Sequence, residues 1–88
     1  DIIIAYEPVW AIGGEVAATL DDVANACEYL QSIARQAGCS VTILYGGSVH
    51  ADNCLSFRSC GFLHGLLVGR ACLDMLSFER IIEQCNGF

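Results

Sequence analysis

Three short, almost uninterrupted apolar runs constrain this chain more than any other feature. Ile2-Ile3-Ile4-Ala5-Tyr6 is β-branched, lacks polar alternation and is cut off by Pro8. Val41-Thr42-Ile43-Leu44-Tyr45 repeats the pattern and stops at Gly46-Gly47-Ser48, while Leu66-Leu67-Val68 stops at Gly69. Runs without a solvent-facing register read as strands covered on both faces, as in a parallel sheet. Parallel neighbours need a crossover, and the stretches between the runs are long enough to supply one. Thr19 with Asp22 forms a capping pair. Behind it Val23, Ala26, Cys27, Leu30, Ile33, Ala34 and Ala37 fall at helical spacing, up to a stop at Gly38. A weaker helix is expected from Asp52 to about Ser59, with Cys54 and Leu55 apolar and Arg58 exposed. A last helix is expected to be capped by Ser77, with Phe78, Ile81, Ile82 and Cys85 on its apolar face. The order is β-loop-α-β-α-β-α, a parallel α/β arrangement.

Composition matters here because the chain is more apolar than its size warrants. Its 88 residues are 55% hydrophobic and 16% charged, a balance that excludes intrinsic disorder. A domain this small buries only about 60% of its unfolded surface, so the surplus is expected to pack against something, or part of a larger unit is missing. No apolar run approaches the roughly 18 residues of a membrane span, and no basic leader with a cleavage site opens the chain. The formal charge of −6 argues against nucleic acid or anionic lipid as partner. The six cysteines show no CxxC pair, which leaves no zinc site in view. Most stand among apolar neighbours and read as buried free thiols rather than disulfides.

In parallel α/β folds ligands bind at the carboxyl ends of the strands. Three ends are legible: Glu7-Pro8, Gly46-Gly47-Ser48 and Gly69-Arg70. Glycine there lets backbone approach a ligand, and successive N–H groups make an anion-binding concavity. Two such turns on neighbouring strands suit one phosphate, although neither GxxxxGK[ST] nor GxGxxG occurs. Glu7 projects from the rim of the sheet, held extended by the following proline. Partial burial there suits it to proton abstraction; a solvated glutamate opening a loop is the other reading.

The residues themselves add to this. Ala5-Tyr6-Glu7-Pro8-Val9-Trp10-Ala11-Ile12-Gly13 resembles a signature of the triosephosphate isomerase family, and Ile43-Leu44-Tyr45-Gly46-Gly47-Ser48-Val49 resembles its second hallmark. Gly65-Leu66-Leu67-Val68-Gly69 falls where that family has its last barrel strand and phosphate turn. The resemblance covers essentially the whole chain. It implies a (β/α)8 barrel of about 250 residues, of which residues 1–88 resemble the C-terminal part, strands six to eight with their helices. The implied activity interconverts dihydroxyacetone phosphate and glyceraldehyde 3-phosphate through an enediolate. That family is itself a standard example of acid–base tuning, with a neutral histidine electrophile and a loop that excludes water. Glu7 matches its general base. Pro8, Val9 and Trp10 match the start of the closing loop, with Trp10 as anchor, and Ala11 to Glu15 match its tip. Gly13, Ser48, Gly69 and the next position, Arg70, match the phosphate grip. Tyr45 and Ser48 match residues that hydrogen-bond the closed loop.

Several positions depart from the family pattern. Gly14-Glu15-Val16 stands where Thr-Gly-Lys is usual, and Arg70 replaces the second glycine of the phosphate turn. Cys72 stands for serine and His64 for aspartate. These changes leave room for a paralogue acting on a four-carbon ketose phosphate, or for a non-catalytic phosphate-binding relative. The family's lysine and electrophilic histidine have no match here. His50 reads as solvated, and His64 as lying on the lower face of the barrel, so the fragment alone is expected to be inactive. The resemblance further implies a small phosphorylated sugar as substrate, no metal or organic cofactor, a cytoplasmic setting, and a homodimer for the full-length protein.

Overall fold

The computed structural model describes residues 2–13 and 16–88. The described residues form three parallel strands, β1 (Ile2–Tyr6), β2 (Val41–Gly46) and β3 (Gly65–Leu67), and three α-helices, α1 (Leu20–Gln36), α2 (Cys54–Arg58) and α3 (Met75–Gln84). The sheet order is β1-β2-β3. Ile4 stands opposite Ile43 and Tyr6 opposite Tyr45, while Leu44 and Tyr45 face Gly65 and Leu66. The parallel order agrees with the sequence, although the third strand starts one residue earlier than Leu66 and Val68 lies outside it.

The core forms on the helix-covered face of the sheet. Ile43 and Tyr45 of β2 pack with Val23 and Cys27 of α1, Cys54 and Phe57 of α2 and Ile81 of α3, all buried. The Tyr45 ring stacks on Phe57 at 4.4 Å between centroids. Thr19 caps α1 as expected: its hydroxyl accepts from Asp22 N at 3.1 Å, and the Asp22 carboxylate accepts from Thr19 N at 3.4 Å. Gly38 takes a φ of +72° just beyond the helix, a conformation that favours glycine. All six cysteines carry free thiols: Cys27 and Cys54 are buried, Cys60 and Cys85 half-buried, and Cys39 and Cys72 exposed. Burial pushes the thiols of Cys27 and Cys85 up to about 11. No helix of the described residues is long and apolar enough to cross a membrane.

Three expectations need correction. The strands are covered on one face only. The opposite face carries Ile3 at 70% exposure and Leu67 at 43%, because nothing among the described residues packs against it. α3 is capped by Asp74, not Ser77. The Asp74 carboxylate accepts from Leu76 N at 3.0 Å and from Ser77 N at 3.2 Å, so Ser77 already lies inside the first turn. The second helix is shorter than expected, and Leu55, Ile33 and Ile82 are exposed although helical spacing put Ile33 and Ile82 on apolar faces. Each of these helices has a narrower buried stripe than its apolar periodicity indicates.

Candidate functional site

The carboxyl ends of the strands converge on one cavity of about 500 Å³, lined by Glu7, Gly13, Ser48, His50, Gly69 and Arg70 among others. Glu7 follows β1 on the face turned away from the helices, and its position depends on the strand beside it. A Cβ on Gly46 would come within 3.1 Å of Glu7 Cγ and 3.3 Å of Leu67 Cβ, so glycine leaves room for the carboxylate stem. Glu7 is exposed, which corrects the partial burial expected for it. Around it the cavity is lined by glycine backbone, apolar side chains that include Ile12 and Leu67, the polar Ser48 and His50, and Arg70 as a permanent cation.

The segment from Pro8 to Thr19 is tied to the end of β2 by side chains that the chain order keeps far apart. Pro8 is buried and opens a 3-10 turn over Val9–Ala11, in which Ala11 N donates to Pro8 O at 2.9 Å. Ala11 is fully buried, whereas Val9 is 85% and Trp10 60% exposed. Ser48 Oγ donates to Ala11 O at 2.9 Å. The Tyr45 hydroxyl donates to Gly47 O at 2.9 Å and accepts from Ala18 N at 3.0 Å. Burial raises the Tyr45 hydroxyl above its usual 10.0, opposed by the Ala18 N–H and reinforced by Tyr6. The phenol therefore stays protonated and keeps its donor role.

This arrangement explains the local backbone. Gly47 adopts a φ of +137°, and a Cβ there would lie 2.8 Å from Ala11 Cβ and 2.9 Å from the Tyr45 hydroxyl. Ser48 follows with a φ of +52°, rare for a side-chain-bearing residue. Asn53 helps hold that turn, donating from Nδ2 to Ser48 O at 2.8 Å and accepting from His50 N at 2.8 Å. Strain of this kind is retained where surrounding bonds over-determine the geometry.

The structure thus brings Glu7, Gly13, Ser48, Gly69 and Arg70 to one cavity, with Tyr45 behind it and Pro8 buried at its flank. Val9 and Trp10 do not line it. Glu15, an acidic departure expected near the phosphate, lies with Gly14 outside the described residues. His50 is exposed and lines the cavity, its Nδ1 accepting from Asp52 N at 3.2 Å. His64 sits away from it, just before β3, where its Nδ1 accepts from Ile43 N at 3.0 Å. Among the described residues no cluster of His, Cys, Asp and Glu could hold a metal ion.

The triosephosphate isomerase family model matches residues 1–85. The chain belongs to the triosephosphate isomerase family. The triosephosphate isomerase of Chlamydia felis is 46% identical over 90 residues, covering 97% of this chain and 35% of the relative. That of Psychrobacter arcticus is 46% identical over 84 residues, covering 92% and 31%, and that of Helicobacter pylori 39% over 83 residues, covering 94% and 34%. The chain spans about a third of the length of these curated relatives. Its three parallel strands with their helices are part of the triosephosphate isomerase (β/α)8 barrel.

Two contacts at this site had no signal in the sequence. Ala18 looks like any small residue of a loop, and nothing at Asn53 marks it as the support of Ser48. Ala18 acts across a fold contact through its backbone N–H, and Asn53 acts locally on the Ser48 carbonyl five residues before it. Residue type alone makes only the glycines and the polar residues at strand ends visible as candidates; Pro8, Val9, Trp10 and Tyr45 enter through the family resemblance.

Proposed function

We propose that residues 1–88 supply strands six to eight of a triosephosphate isomerase barrel, and that the completed barrel interconverts dihydroxyacetone phosphate and glyceraldehyde 3-phosphate. The observation that carries this reading is the convergence of Glu7 with Gly13, Ser48, Gly69 and Arg70 on one cavity, in a chain of that family. Glu7 takes a proton from one substrate carbon and returns it to the neighbouring one, passing through an enediolate. Backbone N–H groups at Gly13, Ser48, Gly69 and Arg70 hold the phosphate, whose binding energy is used to bring the loop over the intermediate. Loop closure keeps water out and prevents loss of the phosphate from the enediolate. Pro8, Val9 and Trp10 form the first hinge, and Tyr45 with Ser48 holds the loop from below. The lysine and neutral histidine that complete this chemistry in the family come from the remaining strands, so the 88-residue chain alone is inactive. The substrate is a small phosphorylated sugar; the reaction requires no cofactor, the setting is cytoplasmic, and the complete protein is a homodimer.

The test is isomerase activity of the full-length protein, assayed with triose phosphates and with a four-carbon ketose phosphate. Glu7→Gln is expected to lower kcat by about 10²–10⁴-fold, the usual contribution of a general base, with Glu7→Asp retaining more. Full activity in Glu7→Ala would overturn the assignment. Preference for the four-carbon substrate would replace the triose reading with that of a paralogue.

A further inference from the structure

Arg70 occupies a position that the family resemblance gives to glycine, and its side chain makes a contact that a glycine cannot. Arg70 Nη2 donates to Gly13 O at 3.3 Å, joining the turn after β3 to a loop 57 residues earlier in the chain. Both residues line the cavity that holds Glu7, Ser48 and Gly69. A guanidinium carries five donors in a fixed planar fork, and the Gly13 carbonyl engages one of them. That bond is long, exposed and directed to a neutral acceptor, so alone it holds the loop weakly. A phosphate monoester dianion is a much stronger acceptor, and guanidinium pairs with it through two parallel charge-assisted bonds. The fork has enough donors to keep the Gly13 carbonyl while it pairs with an anion in the same cavity.

Resting on the function proposed above, we propose that Arg70 is an anion-gated latch: its guanidinium pairs with the phosphate of a bound sugar phosphate while holding the Gly13 carbonyl, and so couples phosphate occupancy to loop closure. Arg70 is a positioning residue in this scheme, acting on the loop and the phosphate rather than on the reacting carbons. The coupling is reciprocal: a loop held down by Arg70 orients the guanidinium for the anion, and the anion fixes the guanidinium for the loop. Glycine at this position would leave backbone N–H groups to hold the phosphate and remove the link to the loop. Lysine would keep the charge but, as a point charge, could not serve both partners with one planar fork.

The experiment uses the full-length protein in three forms, wild type, Arg70→Gly and Arg70→Lys, with inorganic phosphate and a triose phosphate as probes. Inorganic phosphate affinity is measured across a salt series, and loop closure by amide exchange over residues 11–18 with and without phosphate. Arg70→Gly is expected to weaken phosphate binding by about tenfold, the loss of one charge-assisted pair, and to flatten its salt dependence. KM should rise by a similar factor while kcat changes less. Arg70→Lys should recover the salt dependence but not the phosphate-induced protection of the loop. Melting temperatures of the three forms check folding, and Arg70→Lys keeps the test valid if Arg70→Gly unfolds. Active protein with affinity, salt dependence and loop protection unchanged in both variants would overturn the latch and leave the isomerase reading intact. Inactive wild-type protein with Arg70-dependent phosphate binding and loop protection would overturn the isomerase reading and sustain the latch.

Discussion

At the residue scale the site is organised by Tyr45, whose hydroxyl lies between two backbone groups that chain order keeps apart. It accepts from Ala18 N and donates to Gly47 O while the ring stacks on Phe57. Tyr45→Phe preserves the stacking and removes both bonds. Ala18 is buried, so its N–H would lose its partner without gaining water, at a cost of about 1–3 kcal/mol. Amide exchange at Ala18 should accelerate in this variant while exchange in α1 changes little; unchanged Ala18 exchange would show that the phenol does not hold the loop. The same contact predicts a pH dependence. The folded hydroxyl titrates above its ordinary 10.0, so the unfolded chain loses the proton first. The contribution is complete below about pH 10 and is lost as pH rises through the raised value. Burial and the bond donated to Gly47 O both favour the protonated phenol, so the stability of the wild type in urea denaturation should fall in that alkaline window, and the Tyr45→Phe protein should show a smaller fall. Gly46, Gly47 and Ser48 are legible as a turn from residue type, whereas Tyr45 is legible as a site residue only through the family resemblance. Residue type does not mark Ala18, whose N–H meets a phenol 27 residues away, or Asn53, whose amide holds a carbonyl five residues back.

At the scale of elements, the strands and α1 were legible because local and global signals agree there. Apolar runs ended by proline or glycine give β1 and β2, and Thr19 with Asp22 gives the start of α1. The start of α3 was misread because two capping residues stand three apart. Ser77 precedes the apolar stripe of Phe78, Ile81 and Ile82, but Asp74 is the residue with extended backbone (φ −103°, ψ 113°) and a carboxylate on two N–H groups. A carboxylate at a helix N-terminus also meets the positive end of the helix dipole. Asp74→Ala is expected to destabilise the protein by about 1 kcal/mol, the usual value of a cap, and Ser77→Ala by a few tenths at most. Urea denaturation of both variants measures this; equal effects would return the cap to Ser77. Because α3 follows the turn carrying Gly69 and Arg70, fraying its first turn should also loosen that end of the cavity.

At the scale of the whole molecule, the surplus of apolar residues is explained by the face that no helix covers. Ile3 and Leu67 are exposed there, and Ile2 at the start of β1 is exposed as well. β1 and β3 are the edges of the described sheet, each with one hydrogen-bonding side unpaired within it. Their apolar runs, without polar alternation, are the pattern of strands covered on both faces. Among the described residues the second face has no cover, so the apolar pattern alone overstates how far the strands are buried. An exposed apolar face bounded by two open parallel edges is a template for association. The isolated 88-residue chain should therefore self-associate, giving a distribution of oligomers in sedimentation velocity that shifts to larger species with concentration. Ile3→Lys, which places a charge on the uncovered face beside an edge, should reduce the average size severalfold without disturbing the opposite, helix-covered core. Adding the part of the Chlamydia felis relative that this chain does not match should convert the oligomers to one complex of equal stoichiometry. A monodisperse monomer that melts cooperatively would show instead that the sheet stabilises itself without further strands. It would then remove the physical reason for reading this chain as one part of a larger barrel.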